Sequence, residues 1–277
     1  MQNPRRLIIP TRRALSALAI ATLPLRRAAA NTDANLNALL TRYVILPPDG
    51  VTRVRYAALK ASTEDMRALD AWIAEAATRR PSEMARPEAF AFWANLYNAL
   101  TLKVVLERYP VHSIRDIRST GVPLDPKGWL GPWRTRLITV EGKRMSLDDI
   151  EHGTMRATFR DPRVHYAVNC ASIGCPNLWP RAWQARTLEA ELDAAASAYI
   201  NHPRGVTVLP DGRLRVSSIY FWFREDFGGN DGGIIAHLKR YAAPLLSQRL
   251  SENSSIARDT YDWALNNAPA DSRSTQR

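Results

Sequence analysis

Both cysteines of the chain lie in VHYAVNCASIGCPN, Val164–Asn177, where Cys170 and Cys175 stand five residues apart behind a hydrophobic run carrying His165. A thiol near an imidazole is the material of a covalent nucleophile and its base. Two thiols so close can instead form a disulfide, bind metal or pack as small apolar groups. Zinc held by His165, Cys170 and Cys175 is the weakest of these readings, because no Cys-x2-Cys spacing or histidine pair accompanies them. VHYAVN is rich in β-branched and aromatic residues and predicts a buried strand. Strand alternation puts His165, Ala167 and Asn169 on one face and Val164, Tyr166 and Val168 on the other. Cys170 then meets His165 only if the chain turns at Asn169, and Ser172, Gly174 and Pro176 are turn formers that permit it. A thiolate at such a turn is stabilised by backbone N–H groups and a neighbouring imidazole.

Three more clusters carry polar groups that could act with the thiols. In Glu151-His152 a carboxylate could orient an acid–base imidazole, although adjacent helix residues point apart, which divides the pair between surface and core. In FWANLYN, Asn95 and Asn98 share one helix face, with Trp93 and Tyr97 on another. Buried amides on an apolar helix need partners, so these either lock a neighbouring loop or line a site. In FWFREDFGG, local ion pairing is the simplest account of Arg224-Glu225-Asp226.

The elements that must position these groups follow from periodicity and punctuation. Asn35–Tyr43 and Thr63–Ala77 predict amphipathic helices. The stretch between them, VILPPDGVTRVRY, reads as a loop. The strongest helix opens near Pro87 and stops at Pro110; its near-continuous apolarity marks it as the central one. GVPLDPKGWLGPW reads as an ordered aromatic loop. TRLITVEGKRMSL gives two short strands around Glu141-Gly142, and Ser146 caps the helix LDDIEHGTMRATF. Thr187–Ile200 is helical, GVTVLPDGRLRVS is a hairpin, and GIIAHLKRYAAPLL is helical again, with a polar link to YDWALN. The expected fold is therefore α+β, mainly helical with short, partly antiparallel strands, in a single domain.

Residues 1–30 have a basic start, a short apolar run from Ala14 to Leu25 and a small-residue end, the layout of an export signal cleaved near Ala30. The run is too short to span a bilayer, and Arg12-Arg13 resembles a twin-arginine signal, with a Sec-type signal or an uncleaved basic anchor as the alternative. The expected location is periplasmic or secreted. Six arginines and no acids lie in that segment, so the net charge of +11 falls to 32 bases against 27 acids, or +5, in the rest. No basic run interleaved with aromatics follows, which argues against nucleic-acid binding. No second apolar segment is read as a membrane span, and no cofactor or metal is expected. The division along the chain is a signal at 1–30, N-terminal helices at 31–86, one domain at 87–267 and a disordered tail at 268–277.

FWANLYNALTLKVVL, MSLDDIEHG, DPRVHYAVNCASIGCPNL, SSIYFWFREDFG and YDWALN occur in that order, and together they resemble the domain-of-unknown-function family 547 from about Pro87 to Asn267. The resemblance marks Trp93, Asn95, Tyr97, Asn98, Glu151, His152, His165, Asn169, Cys170, Cys175 and Pro176 as hallmark positions and implies no established reaction. A more distant similarity to papain-like and transglutaminase-like cysteine hydrolases suggests a related arrangement. In those enzymes, however, the base usually follows the nucleophile, whereas here His165 precedes Cys170; His202 and His237 follow it but fall in no matching motif. The expected activity is thiol-dependent amide hydrolysis or acyl transfer on a small-molecule or peptide ligand. Cys170 attacks, His165 or His152 acts as base, and Asn98 or Asn169 orients the base or holds an oxyanion, while Trp93, Asn95, Tyr97, Glu151 and Cys175 bind. The alternative is a non-catalytic envelope binding or scaffold protein with a structural Cys170–Cys175 disulfide.

Overall fold

The computed structural model describes residues 23–118, 131–250 and 254–269, with side chains from residue 33 onward. Helix α1 (Leu23–Tyr43) runs through the expected cleavage point at Ala30, and residues 1–22 of the export-signal reading lie outside the described residues. The stretch read as a loop after it holds two short paired strands, β1 (Val44–Ile45) and β2 (Arg53–Val54), and then helix α2 (Tyr56–Ala61). Ser62 caps α3 (Thr63–Ala76) by accepting the Asp65 N–H, as the acidic first turn after a serine predicts.

Helix α4 (Arg86–Arg108) is the centre of the fold, with every residue from Phe90 to Leu102 buried. Pro87 opens it, where its missing N–H costs nothing. By length and composition α4 could cross a membrane, a feature the sequence reading did not assign; in the structure 89% of its most apolar window is buried in protein. One continuous core runs from Leu36 through α4 to Leu265, so the N-terminal helices and the rest form a single domain.

Strands β3 (Ile138–Val140) and β4 (Lys143–Met145) form the expected hairpin, with Glu141 and Gly142 both at positive φ in the turn. Ser146 and Asp149 form a reciprocal capping box at α5 (Leu147–Ile150). The helix then widens into a π-turn at Glu151–Arg156 before ending as α6 (Ala157–Phe159). VHYAVN is not a strand. Val164–Ala167 forms a single helical turn, α7, entered through an Asp161 side chain that accepts the Arg163 N–H, and the chain becomes extended only at Val168. The alternation that separated His165 from Cys170 therefore does not apply.

Helix α8 (Leu188–Ile200) leads to the hairpin β5 (Val206–Val208) and β6 (Leu214–Ser217), then α9 (Ile219–Trp222). The expected C-terminal helix is two, α10 (Asp231–Tyr241) and α11 (Pro244–Arg249), separated at Ala242-Ala243 where Pro244 starts a new helix. The polar link contains a strand that the sequence reading missed, β7 (Ile256–Thr260), parallel to β6 and completing the sheet order β5-β6-β7. Residues 261–268 then lie as a strap across the cysteine loop and β2: Ile173 N–H donates to Ala264, Gly174 N–H to Asp262, and Val54 N–H to Asn266. Ala268, placed in the tail by sequence, is buried and donates to the Val54 carbonyl, so order extends past the expected boundary.

Candidate functional site

A cavity of about 160 Å³ opens between the π-turn, the cysteine loop, α9 and the C-terminal strap. Cys170, Cys175, His165, Glu151, His152, Tyr97 and Asp148 line it on one side, with Trp133, Trp222, Phe223, Tyr261 and Trp263 supplying aromatic walls. The rings of Tyr261 and Trp263 lie 4.6 Å apart, and both contact Trp222.

The cysteine loop is fixed from below by α4. Asn98 donates to the Ala167 carbonyl at 2.9 Å and accepts the Asn169 N–H at 2.9 Å. Asn169 accepts the Ala171 N–H and donates to the Pro176 carbonyl at 2.7 Å. Three residues earlier on α4, Asn95 clamps both backbone groups of Trp183, whose indole N–H reaches the Ala167 carbonyl. The amides therefore lock the loop. Asn98 and Asn169, expected to orient the base or hold an oxyanion, spend their amides on the loop backbone, and neither lines the cavity. Trp93 and Asn95 likewise sit in the core and not on the cavity wall. The loop is further held by the Tyr199 hydroxyl on the Gly174 carbonyl and by Arg204 on the Ile173 carbonyl.

Both cysteines are free thiols. The Cys170 N–H donates to the Cys175 sulfur at 3.1 Å, and the Cys170 sulfur lies 3.2 Å from the Ser172 hydroxyl and 3.1 Å from that of Tyr261. Ala171, next to it, adopts φ +61°, a strained conformation for a residue with a Cβ. A hydrogen bond from the Cys175 thiol, joined by those from Ser172 and Tyr261, outweighs burial and pulls the Cys170 thiol below its ordinary range. Burial, and the neighbouring Cys170, push the Cys175 thiol well up, and it donates to the Val168 carbonyl at 3.9 Å.

His165 is buried between two carboxylates. Its Nε2 is 2.6 Å from Asp226 and its Nδ1 is 3.7 Å from Glu151, while its ring stacks on Phe223 at 4.3 Å. Burial disfavours the charged ring, but the bonds to Asp226 and Glu151 prevail and raise its pKa. Glu151, although buried, stays below its usual range through His165, His152 and Tyr97. Asp226 pairs with Arg156 at 2.5 Å as well as with His165, and Arg224 pairs with Asp231 at 2.7 Å, so the partners of the charged triplet lie outside it. No hydrogen bond joins His165 to Cys170. Glu151 and His152 both reach the cavity, Glu151 buried and His152 half-buried, because the π-turn rotates successive side chains differently from an α-helix. His152 approaches Asp148 at 3.8 Å and Glu151 at 3.9 Å. Burial raises the Asp148 carboxyl. Among the described residues no cluster of three or more His, Cys, Asp or Glu could hold a metal ion.

Sequence reasoning gave no site role to Ser172, read as a turn former, to Asp226, read as part of a local ion pair, or to Tyr261, Trp222 and Trp263. The signal available was the recurrence of aromatics in IYFWF and YDW; GWLGPW contributes Trp133, while residues 119–130 of that loop lie outside the described residues.

Fold and site define an α+β protein with two free thiols at an aromatic cavity. Residues 81–200, less than half of the chain, match the family model described as "Protein of unknown function, DUF547". No curated protein and no solved structure matches the chain. The matched span contains both cysteines, Glu151 and His165 but stops before α9 and the strap, so Trp222, Asp226, Tyr261 and Trp263 come from outside it.

Proposed function

We propose that the protein is a thiol-dependent acyl transferase or amide hydrolase, with Cys170 as nucleophile. One observation carries this reading: a partly exposed cysteine at the cavity wall whose sulfur stands within hydrogen-bond distance of two hydroxyls, with a second thiol against its backbone N–H. The thiolate is stabilised without an imidazole partner, which accounts for the missing Cys170–His165 bond. Attack forms a thioester and expels an amine or alcohol. The leaving group takes a proton from His165, whose pKa its carboxylate partners raise; a second nucleophile then gives its proton to His165, attacks the thioester carbonyl and expels the Cys170 thiolate, carrying the acyl group away. The aromatic wall holds the apolar part of the acyl donor. An export signal at residues 1–30 would place this chemistry outside the cytoplasm.

A panel of short acyl p-nitrophenyl esters and anilides tests the assignment. Wild type should release a burst of chromophore equal to the enzyme present, and Cys170→Ala should abolish burst and turnover while keeping the native circular dichroism spectrum. Full turnover by Cys170→Ala overturns the assignment.

A further inference from the structure

We propose that Cys170 and Cys175 are a peroxidatic and resolving pair that reduces organic hydroperoxides. The proposal rests on the reading of Cys170 as a nucleophile and adds a second reaction to the same site. The loop from Cys170 to Cys175 folds back on itself: the Cys175 N–H bonds to the Ser172 carbonyl at 3.2 Å, and the Cys170 N–H reaches the Cys175 sulfur at 3.1 Å. The two thiols are free, the loop holds the Cys175 sulfur against the Cys170 backbone N–H, and both residues reach the cavity wall. They differ in access and charge. Cys170 is partly exposed and its thiol is drawn below its ordinary range by the hydrogen bonds around it, whereas Cys175 is buried at 5% exposure and pushed well up. That is the division of labour a two-thiol reduction needs, since the first sulfur must meet the oxidant and the second must wait beside it.

The Cys170 thiolate attacks the terminal oxygen of a hydroperoxide, forming an S–O bond as the O–O bond breaks. The departing alkoxide takes a proton through the Ser172 and Tyr261 hydroxyls, which stand 3.2 and 3.1 Å from the sulfur, and leaves as alcohol. Cys175, giving up its proton, attacks the sulfenic acid; an S–S bond forms and water departs. The hydroperoxide is reduced to alcohol and water while the two thiols are oxidised to a disulfide, which an external dithiol returns to the reduced state by exchange. Trp222, Trp263 and Phe223 offer an apolar surface to the organic part of the peroxide. The same disulfide removes the acyl-transfer nucleophile, so peroxide also silences the first activity.

The full-length protein, reduced and freed of reductant, is treated with cumene hydroperoxide in the presence of dimedone, and its mass and peptide map are read. Wild type should consume one peroxide per chain, gain an internal Cys170–Cys175 disulfide and bind little dimedone. Cys175→Ala and Cys175→Ser should instead carry dimedone on Cys170 with no disulfide, and Cys170→Ser should consume none. Dimedone on wild type to the same extent as on the Cys175 variants overturns the proposal, as does peroxide consumption no faster than that of glutathione. Iodoacetamide labelling of the same sample separates the two readings: rapid labelling of Cys170 alongside either failure leaves the acyl-transfer reading standing, while slow labelling removes both.

Discussion

Tyr261→Phe isolates one donor to the Cys170 sulfur without disturbing the aromatic wall. The ring keeps its contacts with Trp222 at 4.8 Å and Trp263 at 4.6 Å, and only the hydroxyl, 3.1 Å from the sulfur and 2.9 Å from Ser172, is lost. A hydrogen bond to a charged group is worth about 1.5–3 kcal/mol, and each 1.36 kcal/mol is a factor of ten in an ionisation equilibrium. Removing it alone would thus disfavour the thiolate by roughly 10- to 100-fold. Ser172, released from Tyr261, can turn its own proton fully toward the sulfur, which favours the lower end, about tenfold. The thiolate's ultraviolet absorbance, followed through a pH titration with Cys170→Ser as blank, should show the wild-type transition displaced upward in Tyr261→Phe. An unchanged or downward displacement would refute the donor assignment and with it the account of how the thiol is activated.

Gly174 owes its identity to the strap, since a Cβ there would stand 2.7 Å from the Asp262 nitrogen and 2.9 Å from its oxygen. Gly174→Ala should cost about 1–3 kcal/mol in urea unfolding and slow Cys170 alkylation by moving Tyr261 away; a variant as stable and as reactive as wild type contradicts the strap's role. His237, whose Nε2 meets the Tyr166 hydroxyl at 2.8 Å, is pushed down from 6.5 to about 4, first by burial and then by Arg240 and His165. Between those pH values the unfolded chain binds more protons than the folded one, so acidification should remove about 3 kcal/mol of stability. His237→Gln should flatten that decline, and an unaltered slope would argue against the assignment. His165, raised by its carboxylate partners, acts in a separate window: its contribution is complete below its unfolded pKa and is lost as pH rises through the folded one.

Elements with local signals could be read directly. Pro87 and the run behind it marked α4, Ser146 with Asp149 marked the capped start of α5, and Pro210-Asp211-Gly212 marked the β5–β6 hairpin. VHYAVN misled because a buried six-residue segment carries no periodicity that separates a strand from a helical turn; the discriminating feature was the Asp161-Pro162 entry, with Asp161 holding the Arg163 N–H. β7 escaped because IARDT is half polar and owes its extended form to β6. The same limit governs the site. Cys170, Cys175 and Ser172 are neighbours in sequence and were visible together, but Tyr261 stands 91 residues from Cys170 and Asp226 stands 61 from His165. Their roles come from the chain's final crossing of the cysteine loop and from α9's extension, neither of which has a local signature. The asparagines of α4 were recognisable as buried amides needing partners, and the two alternatives separated only when Ala167, Asn169 and Trp183 were seen to occupy them.

The central claim is that Cys170 is a thiolate nucleophile held ready in the folded cavity. The rate of iodoacetamide modification of the reduced native protein, resolved by site and followed against pH beside the same chain in urea, tests it most directly. Cys170 should be labelled ahead of Cys175, faster in the native than in the unfolded chain at neutral pH, and with a midpoint below that of an unfolded cysteine. Labelling of Cys170 that is slower in the native state, or that begins only on unfolding, would contradict it.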